Sequence, residues 1–369
     1  MGYRNLPIAD AHIHVHMNSD NTVRPTLQRQ EQILQDIFEK TGDEAVVLLA
    51  CSYGGTSTFG KAGKIILMDT PLSFYLKEKC PRKIYNFAAI SHHHLQPEKN
   101  TQQFFLEQVK FRYAAGCDGF KSLDGLLNVY KDQKCRLSDP SLDLMYAFLE
   151  ENQIPLLMHV GGPMEVYEKG SIIYSDDPEL ARPEELYEDV TALLEKFPKL
   201  TLILAHFNFM SRDLEKAEYM LSKWENLYFD LTPNIFMYWD FNKLPDETVR
   251  GFFRRNCHKI LYGTDTFIEE GIRPVPLQVE LVRDYFEKEA SDFLAEHQVR
   301  PLPMEDEVLR KMYRENVMRL LPAQPRPVSG AHVVEECQQL LTYETLLNKH
   351  DIQLLRQMIA YFQYKEDER

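Results

Sequence analysis

Eight short runs rich in β-branched and aromatic residues alternate with amphipathic stretches along most of this chain. The runs are LPIADAHIH near 6–14, EAVVLLAC near 44–51, KIYNFAAI near 83–90, CDGFKS near 117–122, IPLLMHV at 154–160, LTLILAHF at 200–207, NLYFDLT at 226–232 and KILYGTD at 259–265. Between them apolar residues recur at intervals of three and four, as in amphipathic helices. Eight strands alternating with helices over roughly 320 residues predict an α/β fold, the (β/α)8 TIM barrel. A doubly wound open sheet is the competing architecture, although no Gly-x-Gly-x-x-Gly follows the first run.

The alternation of β-rich and amphipathic segments ends after Leu321. The segment PAQPRPVSG reads as a linker, because its prolines and glycine cannot continue a helix. Apolar residues then return at helical spacing, at Ile352, Leu355, Met358, Ile359 and Phe362. We therefore predict a barrel over residues 1–321 and a linker with a helical C-terminal extension over 322–369. The extension either packs back on the barrel, which we favour, or meets another subunit in a homodimer.

Composition limits the partners of the chain. The formal net charge of −14 disfavours binding to nucleic acid or to an anionic membrane surface. We find no run of about 18 apolar residues and no secretory leader, and the six cysteines show no Cys-x-x-Cys spacing. We therefore expect a cytoplasmic protein with reduced thiols.

The first run contains the motif DAHIHVH, in which polar residues occupy alternate positions. On a strand, alternate side chains share one face, and this pattern predicts a shared face for Asp10, His12, His14 and His16. We expect His12 and His14, at the end of the strand, to be metal ligands. Asp10 would orient a ligand from deeper on the same face, and His16 would lie beyond the strand.

Polar residues also end several of the later runs. They are Lys121 in the fourth, His159 in the fifth, His206 in the sixth and Asp265 in the eighth. In a TIM barrel the carboxyl ends of all strands meet at one face, so these side chains are predicted to converge there. Each also has an ordinary alternative: a hydrogen-bonded core histidine, or a turn cap for Asp265.

Imidazoles with one carboxylate form a nitrogen and oxygen site suited to Zn²⁺, with Mn²⁺, Fe²⁺ or Co²⁺ also tolerated. Fewer protein ligands than a closed structural site leave a position for water, which indicates a catalytic metal. Such a metal lowers the pKa of its bound water toward neutrality.

These motifs resemble a known family. ADAHIH, LLMHVGGP, KFPKLTLILAHF and LYGTD, with RENVMRLL at 314–321, are similar to the metal-dependent amidohydrolase superfamily. Within it they resemble the amidohydrolase-related branch, which includes aminocarboxymuconate-semialdehyde decarboxylase, γ-resorcylate decarboxylase and oxalomesaconate hydratase. The resemblance spans about residues 6–321. It implies one divalent metal and catalytic roles for Asp265 and His206, with the ligands His12, His14, His159 and Asp265.

Three positions depart from that pattern. Lys121 stands where two-metal relatives carry a carboxylated lysine that bridges the ions, and we prefer a lysine that pairs with a substrate carboxylate or a neighbouring acid. Asn208 stands where relatives often have glycine. One of His92, His93 and His94 could reach the site, but we expect a solvated loop.

Aromatic residues follow several strands, and they would suit a planar substrate. They are Tyr53, Phe209, Phe236, Tyr238 and Trp239. Arg182 and Arg212 are candidates for binding a substrate carboxylate, with an ordinary surface position as the alternative.

The resemblance implies a hydrolase that uses metal-activated water on an ester, lactone or amide-like bond. The alternative is non-oxidative decarboxylation, or hydration, of an aromatic or unsaturated acid on the same site. A metal-binding barrel without catalysis is a third hypothesis, and it is disfavoured because Asp265 and His206 are both present.

Overall fold

The computed structural model describes residues 3–15, 25–51, 69–80, 82–93, 96–268, 277–343 and 347–367. Three residues singled out from the sequence lie outside these ranges: His16, Tyr53 and His94.

The strands form a single parallel sheet. They are β1 (Ala9–His14), β2 (Ala45–Leu49), β3 (Lys83–Ala89), β4 (Gly119–Leu126), β5 (Leu156–Gly161), β6 (Leu202–Leu204), β7 (Leu227–Asp230), β8 (Ile260–Leu261) and β9 (Thr266–Phe267). Their order is β8-β7-β6-β5-β4-β3-β2-β1-β9, and every pairing is parallel.

The two ends of the sheet belong to one stretch of chain. Only residues 262–265 separate β8, which pairs with β7, from β9, which pairs with β1. Between them the amide of Ala11 donates to the carbonyl of Tyr262 (2.9 Å), and the amide of Asp265 donates to the carbonyl of His12 (2.8 Å). Within the eighth predicted strand (259–265) only β8 forms, and β9 follows directly after it. The TIM-barrel prediction is confirmed.

Helices surround the sheet. They are α1 (Leu27–Thr41), α2 (Asp69–Lys79), α3 (Gln102–Ala114), α4 (Leu127–Gln133), α5 (Asp143–Glu151), α6 (Pro183–Lys196), α7 (Leu214–Lys223), α8 (Ile235–Lys243), α9 (Asp246–Asn256), α10 (Leu277–Glu287), α11 (Asp292–Glu296), α12 (Asp306–Arg310), α13 (Asn316–Leu320), α14 (Gly330–Leu341) and α15 (Lys349–Asp367). Helix α1 shows how local sequence sets the bounds: the side chain of Thr26 caps its first turn, and Gly42 ends it in the left-handed conformation. None of the helices in the described ranges is both long enough and apolar enough to span a membrane.

A small apolar cluster fills the inside of the barrel. It consists of Ala9, Ala11, Ala45, Val47, Leu49, Tyr85, Phe87, Leu157, Ile203, Ala205, Tyr228, Leu261, Val317 and Leu321. The larger core lies between the sheet and the helices. Alternate residues of a strand share a face, so every second side chain of a strand points into the barrel. These side chains also include Cys51 after β2, Lys121 in β4, His159 in β5 and Asp230 in β7.

One bulge corrects the prediction made from DAHIHVH. Between Asp10 and Ile13 the chain advances three residues while β2 advances two, from Val46 to Leu48. An extra residue in one strand reverses the alternation beyond it. Ala9 and Ala11 therefore belong to the inner cluster, and His12 and His14 turn inward only after the bulge. The prediction that Asp10 shares their face is wrong.

The C-terminal segment packs against α2 and α3. Arg112 pairs with Glu336 of α14 at 2.8 Å, and the ring of Tyr75 meets that of Tyr361 in α15 at 5.3 Å. The preceding linker runs against the end of α3, where the amide of Ser329 donates to the carbonyl of Ala115 (2.9 Å).

Candidate metal centre

Three side chains converge at the mouth of the barrel. Nε2 of His12 lies 3.0 Å from Nε2 of His14, and Oδ1 of Asp265 lies 3.5 Å and 3.1 Å from these two nitrogens. Two nitrogens and one oxygen suit Zn²⁺, and ligands 2.0–2.2 Å from a tetrahedral ion lie about 3.4 Å apart. The observed separations therefore fit a divalent metal held by His12, His14 and Asp265.

Asp265 is positioned by an unusual backbone conformation. Its φ is +58°, and its amide is bonded to the carbonyl of His12. Gly263 lies so close to β1 that a Cβ there would be 3.0 Å from the Cβ of His12. The LYGTD motif thus brings the carboxylate directly against β1, with its side chain 25 % exposed toward the mouth.

Asp230 orients His12. Oδ2 of this fully buried carboxylate lies 2.8 Å from Nδ1 of His12, while Oδ1 accepts from the amide of His206 (2.8 Å) and the hydroxyl of Thr232. When Nδ1–H donates to Asp230, Nε2 carries a free lone pair toward the site. Sequence reasoning missed Asp230, although it ends a buried strand as the selected residues do.

His14 has a different partner. Its Nδ1 lies 3.2 Å from Sγ of Cys51, and its ring stacks on Phe267 with centroids 5.0 Å apart. Cys51 was also missed, because the cysteines were considered only for redox and zinc-ribbon patterns.

Asp10 supports the backbone of the site. Its Oδ1 accepts from the amide of His12 (2.8 Å), and its Oδ2 accepts from the hydroxyl of Thr264 (2.6 Å). It fixes β1 to the 262–265 segment that carries Asp265, and the imidazole of His12 is oriented by Asp230 instead.

His159 and His206 form a second pair beside the first. Nδ1 of His159 lies 3.2 Å from Nε2 of His206. The other ring nitrogen of His159, Nε2, lies 3.1 Å from the carbonyl oxygen of Gly161. His206 approaches His12 with ring centroids 5.6 Å apart. His159 lies outside the set of three converging ligand atoms, so the structure brings together three of the four predicted ligands.

His206 begins a left-handed turn. Residues 206–209 have φ between +50° and +56°, a conformation that costs non-glycine residues about 1–2 kcal/mol each. The turn stacks the Phe209 ring on His206 (5.3 Å) and also brings it 5.6 Å from His159. Asn208, where relatives often have glycine, is in this strained segment and tolerates it better than most residues.

The pKa shifts favour the protonation states that a metal requires. Burial lowers the pKa of His12, His159 and His206, which keeps them neutral. Burial would raise the pKa of Asp265, but the hydrogen bond from His14 and the charge of that imidazolium outweigh it and lower the pKa. Burial likewise opposes a charge on His14, but Cys51 and Asp265 raise its pKa to about 9. A metal would displace that proton.

Lys121 is enclosed by the barrel. It is 1 % exposed, and its Nζ has no hydrogen-bond partner within the described ranges. Burial lowers its pKa, opposed by the charges of Cys51, Asp230 and Asp265. The predicted direct pairing with a neighbouring acid is therefore not seen in these ranges.

A cavity of about 500 Å³ opens beside His159. Its wall is mainly apolar and includes His159, Gly162, Val166, Ile173 and Phe209. Of the predicted pocket residues, Phe209 therefore lines this cavity.

Phe236 and Trp239 lie on α8, where their rings meet at 5.5 Å. Trp239 donates its indole N–H to the carbonyl of His297 (2.8 Å), and Tyr238 is fully buried. Phe236 instead lines a small recess near His206.

The two candidate arginines are already engaged. Arg212 donates to Asp240 at 3.0 Å and also contacts Glu165 and Glu168. Three carboxylates thus surround a guanidinium that the sequence offered as one candidate for binding a substrate carboxylate. The guanidinium of Arg182 lies 5.1 Å from the ring centroid of Tyr167.

His92 is buried, so the expected solvated loop is wrong for this residue. Its Nε2 lies 2.7 Å from Oδ1 of Asp124, and its ring packs on Phe105. His93 is half-buried, and its backbone amide donates to Asn100 (2.6 Å).

Comparison with known proteins agrees with this fold. A family model described as amidohydrolase matches residues 110–323, which is more than half of the chain. The chain belongs to the amidohydrolase family, and the resemblance to its amidohydrolase-related branch is confirmed. The matched region contains His159, His206 and Asp265, while His12 and His14 precede it.

Similar solved structures share the barrel. An uncharacterised TIM-barrel protein from Bordetella bronchiseptica is 17 % identical, with 85 % of this chain and 98 % of that chain covered and a TM-score of 0.52. The 4-oxalomesaconate hydratase of Rhodopseudomonas palustris is 14 % identical, with 85 % and 95 % covered and a TM-score of 0.50. An IDCase from Metarhizium anisopliae is 13 % identical, with 86 % and 97 % covered and a TM-score of 0.50. A search of curated proteins gives no match.

Proposed function

We propose that this chain is a metal-dependent enzyme that acts on a small molecule. The observation that carries the proposal is the convergence of His12 Nε2, His14 Nε2 and Asp265 Oδ1 within 3.5 Å of one another. We expect one divalent ion, with zinc as the first choice for this ligand set. His159 is the fourth ligand that the family resemblance implies, and its Nδ1 carries no proton when Nε2–H donates to Gly161.

The bound ion supplies a Lewis acid and a water molecule of lowered pKa. Asp265, ionised and partly open to the mouth, accepts the proton of the attacking water and later delivers it to the leaving group. His206 polarises the reacting carbonyl as a hydrogen-bond donor through Nε2, the nitrogen that faces His159.

The first candidate reaction is hydrolysis of an ester, lactone or amide-like bond. The mainly apolar cavity beside His159 and Phe209 suits a small planar substrate. Its wall includes both Phe209 and His159, so a bound ring would lie next to the His159 imidazole.

The second candidate is decarboxylation or hydration of an aromatic or unsaturated acid. The same cavity favours it, because an unsaturated carbon held against Phe209 would lie close to His206, which stacks on that ring and would, once protonated, deliver a proton to the carbon. The Rhodopseudomonas palustris protein of similar fold is a 4-oxalomesaconate hydratase, so unsaturated dicarboxylates belong in the substrate panel.

The test is a panel of lactones, aryl esters, hydroxybenzoates and unsaturated acids with the zinc-loaded protein. Hydrolysis predicts ¹⁸O from solvent in the product carboxylate without gas. Decarboxylation predicts CO2 and solvent deuterium at the product carbon, whereas hydration predicts neither CO2 nor bond cleavage.

The variants that test the assigned roles are Asp265→Asn and His206→Gln. We expect each to lose at least about 100-fold in kcat, as removal of a general acid or base does. His332→Gln, on α14 and distant from the site, is the matched control and should keep full activity. Unchanged turnover in Asp265→Asn would refute the proposed mechanism.

A further inference from the structure

The two histidines of the first strand are held from behind by different groups. Each turns Nε2 toward the converging site, and metal binding through Nε2 requires the proton to be on Nδ1. For His12 the acceptor of that proton is the carboxylate of Asp230 at 2.8 Å. For His14 the group at Nδ1 is the sulfur of Cys51 at 3.2 Å, and no carboxylate of the described ranges bonds there.

The fold fixes Cys51 in that place. It directly follows β2 on the inner row that includes Val47 and Leu49, and it is 8 % exposed. Its backbone amide donates to Asp69 Oδ2 at 3.3 Å, which sets the direction in which the sulfur leaves the strand.

We propose that Cys51 is a positioning residue of the metal centre. Its sulfur accepts the hydrogen bond of His14 Nδ1–H, which holds the imidazole in the tautomer whose Nε2 lone pair faces His12 and Asp265. Sulfur is a weak acceptor, so the hydrogen bond from His14 to Cys51 is weaker than the one from His12 to Asp230. The inference rests on the proposed metal site, but it is independent of the reaction catalysed there.

Metal affinity is the quantity to measure, in the full-length protein, with Zn²⁺ competed against a chromophoric chelator. Loss of a ligand's supporting hydrogen bond weakens metal binding by about 10–100-fold, so we expect this effect in Cys51→Ala. Cys51→Ser should lose less, because the hydroxyl can also accept. Cys80→Ala is the matched control, since Cys80 is also 8 % exposed and lies away from the site at the end of α2.

Three readouts separate positioning from other roles. The metal-free Cys51→Ala protein should melt no lower than metal-free Cys80→Ala, and lower melting would indicate a purely structural role and overturn the inference. The Co²⁺ form of the parent protein should lack a sulfur-to-cobalt charge-transfer band, because such a band would make Cys51 a direct ligand. Equal Zn²⁺ affinity in Cys51→Ala and the parent protein would also overturn it. If the parent protein binds no Zn²⁺, the proposed function fails and this inference fails with it.

Discussion

Oδ2 of Asp230 lies 2.8 Å from Nδ1 of His12, although 218 positions separate the two residues in the chain. The same carboxylate accepts from the amide of His206 through its other oxygen. One buried acid therefore fixes a proposed metal ligand and the start of the turn that begins with His206.

Asp230→Asn should weaken metal binding by about 10–100-fold, because a neutral amide holds the His12 imidazole less firmly. Zn²⁺ competition titration measures this. Asp118→Asn is the control: Asp118 is also buried, but it pairs with Lys77 at 2.5 Å instead of with a site residue. That variant should lose stability while its metal affinity stays unchanged, and an equal loss of affinity in both variants would contradict the assigned role of Asp230.

Gly263→Ala should disturb the metal site through crowding. Its Cβ would lie 2.9 Å from the methyl carbon of Thr232 and 3.0 Å from the Cβ of His12, so β1 must shift. We expect metal affinity to fall by about tenfold. In Gly251→Ala the new Cβ meets only the mobile end of Arg255, and this helix substitution should leave metal affinity intact. If Gly263→Ala binds the metal as tightly as the parent protein, β1 can shift without displacing the ligands, and the expected crowding effect is contradicted.

The His92–Asp124 pair should make stability depend on pH. Burial disfavours the charged form of both side chains. The charge and hydrogen bond of Asp124 outweigh burial and raise the pKa of His92, and those of His92 outweigh burial and lower the pKa of Asp124. The stability from His92 is complete below its unfolded pKa and is lost as pH rises through its raised folded pKa. The stability from Asp124 is complete above its unfolded pKa and is lost as pH falls through its lowered folded pKa.

The pair is therefore strongest between about pH 4 and pH 6.5. Asp124→Asn should lower the free energy of unfolding by about 1–3 kcal/mol more at pH 5.5 than at pH 8.5. Urea unfolding at both pH values measures this difference. The same loss at both values would mean that the pair is not an ion pair, and the double variant with His92→Gln should remove the pH dependence.

Gly116→Ala should loosen the C-terminal extension. The residue has φ +103°, and a Cβ would lie 2.1 Å from the carbonyl oxygen of Pro327 in the linker. We expect a loss of about 2–4 kcal/mol, from backbone strain and displacement of the linker together. Gly42→Ala is the matched control, since φ is +75° there with nothing within 4 Å, and it should lose only about 1–2 kcal/mol. Equal losses in thermal or urea unfolding would show that the linker contact contributes nothing.

The sequence predicts the barrel because a β-rich run followed by an amphipathic stretch recurs eight times. The fold can therefore be recognised even where the bounds of one strand or helix are wrong. It also places His12, His14 and Asp265 at strand ends, and the structure brings these three together. It cannot reveal the bulge after Asp10, because a bulge depends on the register between β1 and β2 rather than on the composition of either strand.

Residues that act through distant partners are harder to recognise. Asp230 satisfies the rule that selected His159 and Asp265, since it ends a buried strand, and wider use of that rule would have included it. The role of Cys51 cannot be predicted from the residues around it, because it depends on contact with His14, which lies 37 positions away in the chain. His92 similarly reads as part of a polar loop until Asp124 is found beside it.

The central claim is that His12, His14 and Asp265 hold one divalent metal. The most direct measurement is the zinc content per chain after loading and exhaustive dialysis, compared between the parent protein and the His12→Ala, His14→Ala and Asp265→Ala variants. We predict one equivalent in the parent protein and a large loss in each variant, while His332→Gln keeps its full equivalent. Undiminished zinc in the three variants, or no zinc in the parent protein, would contradict the account.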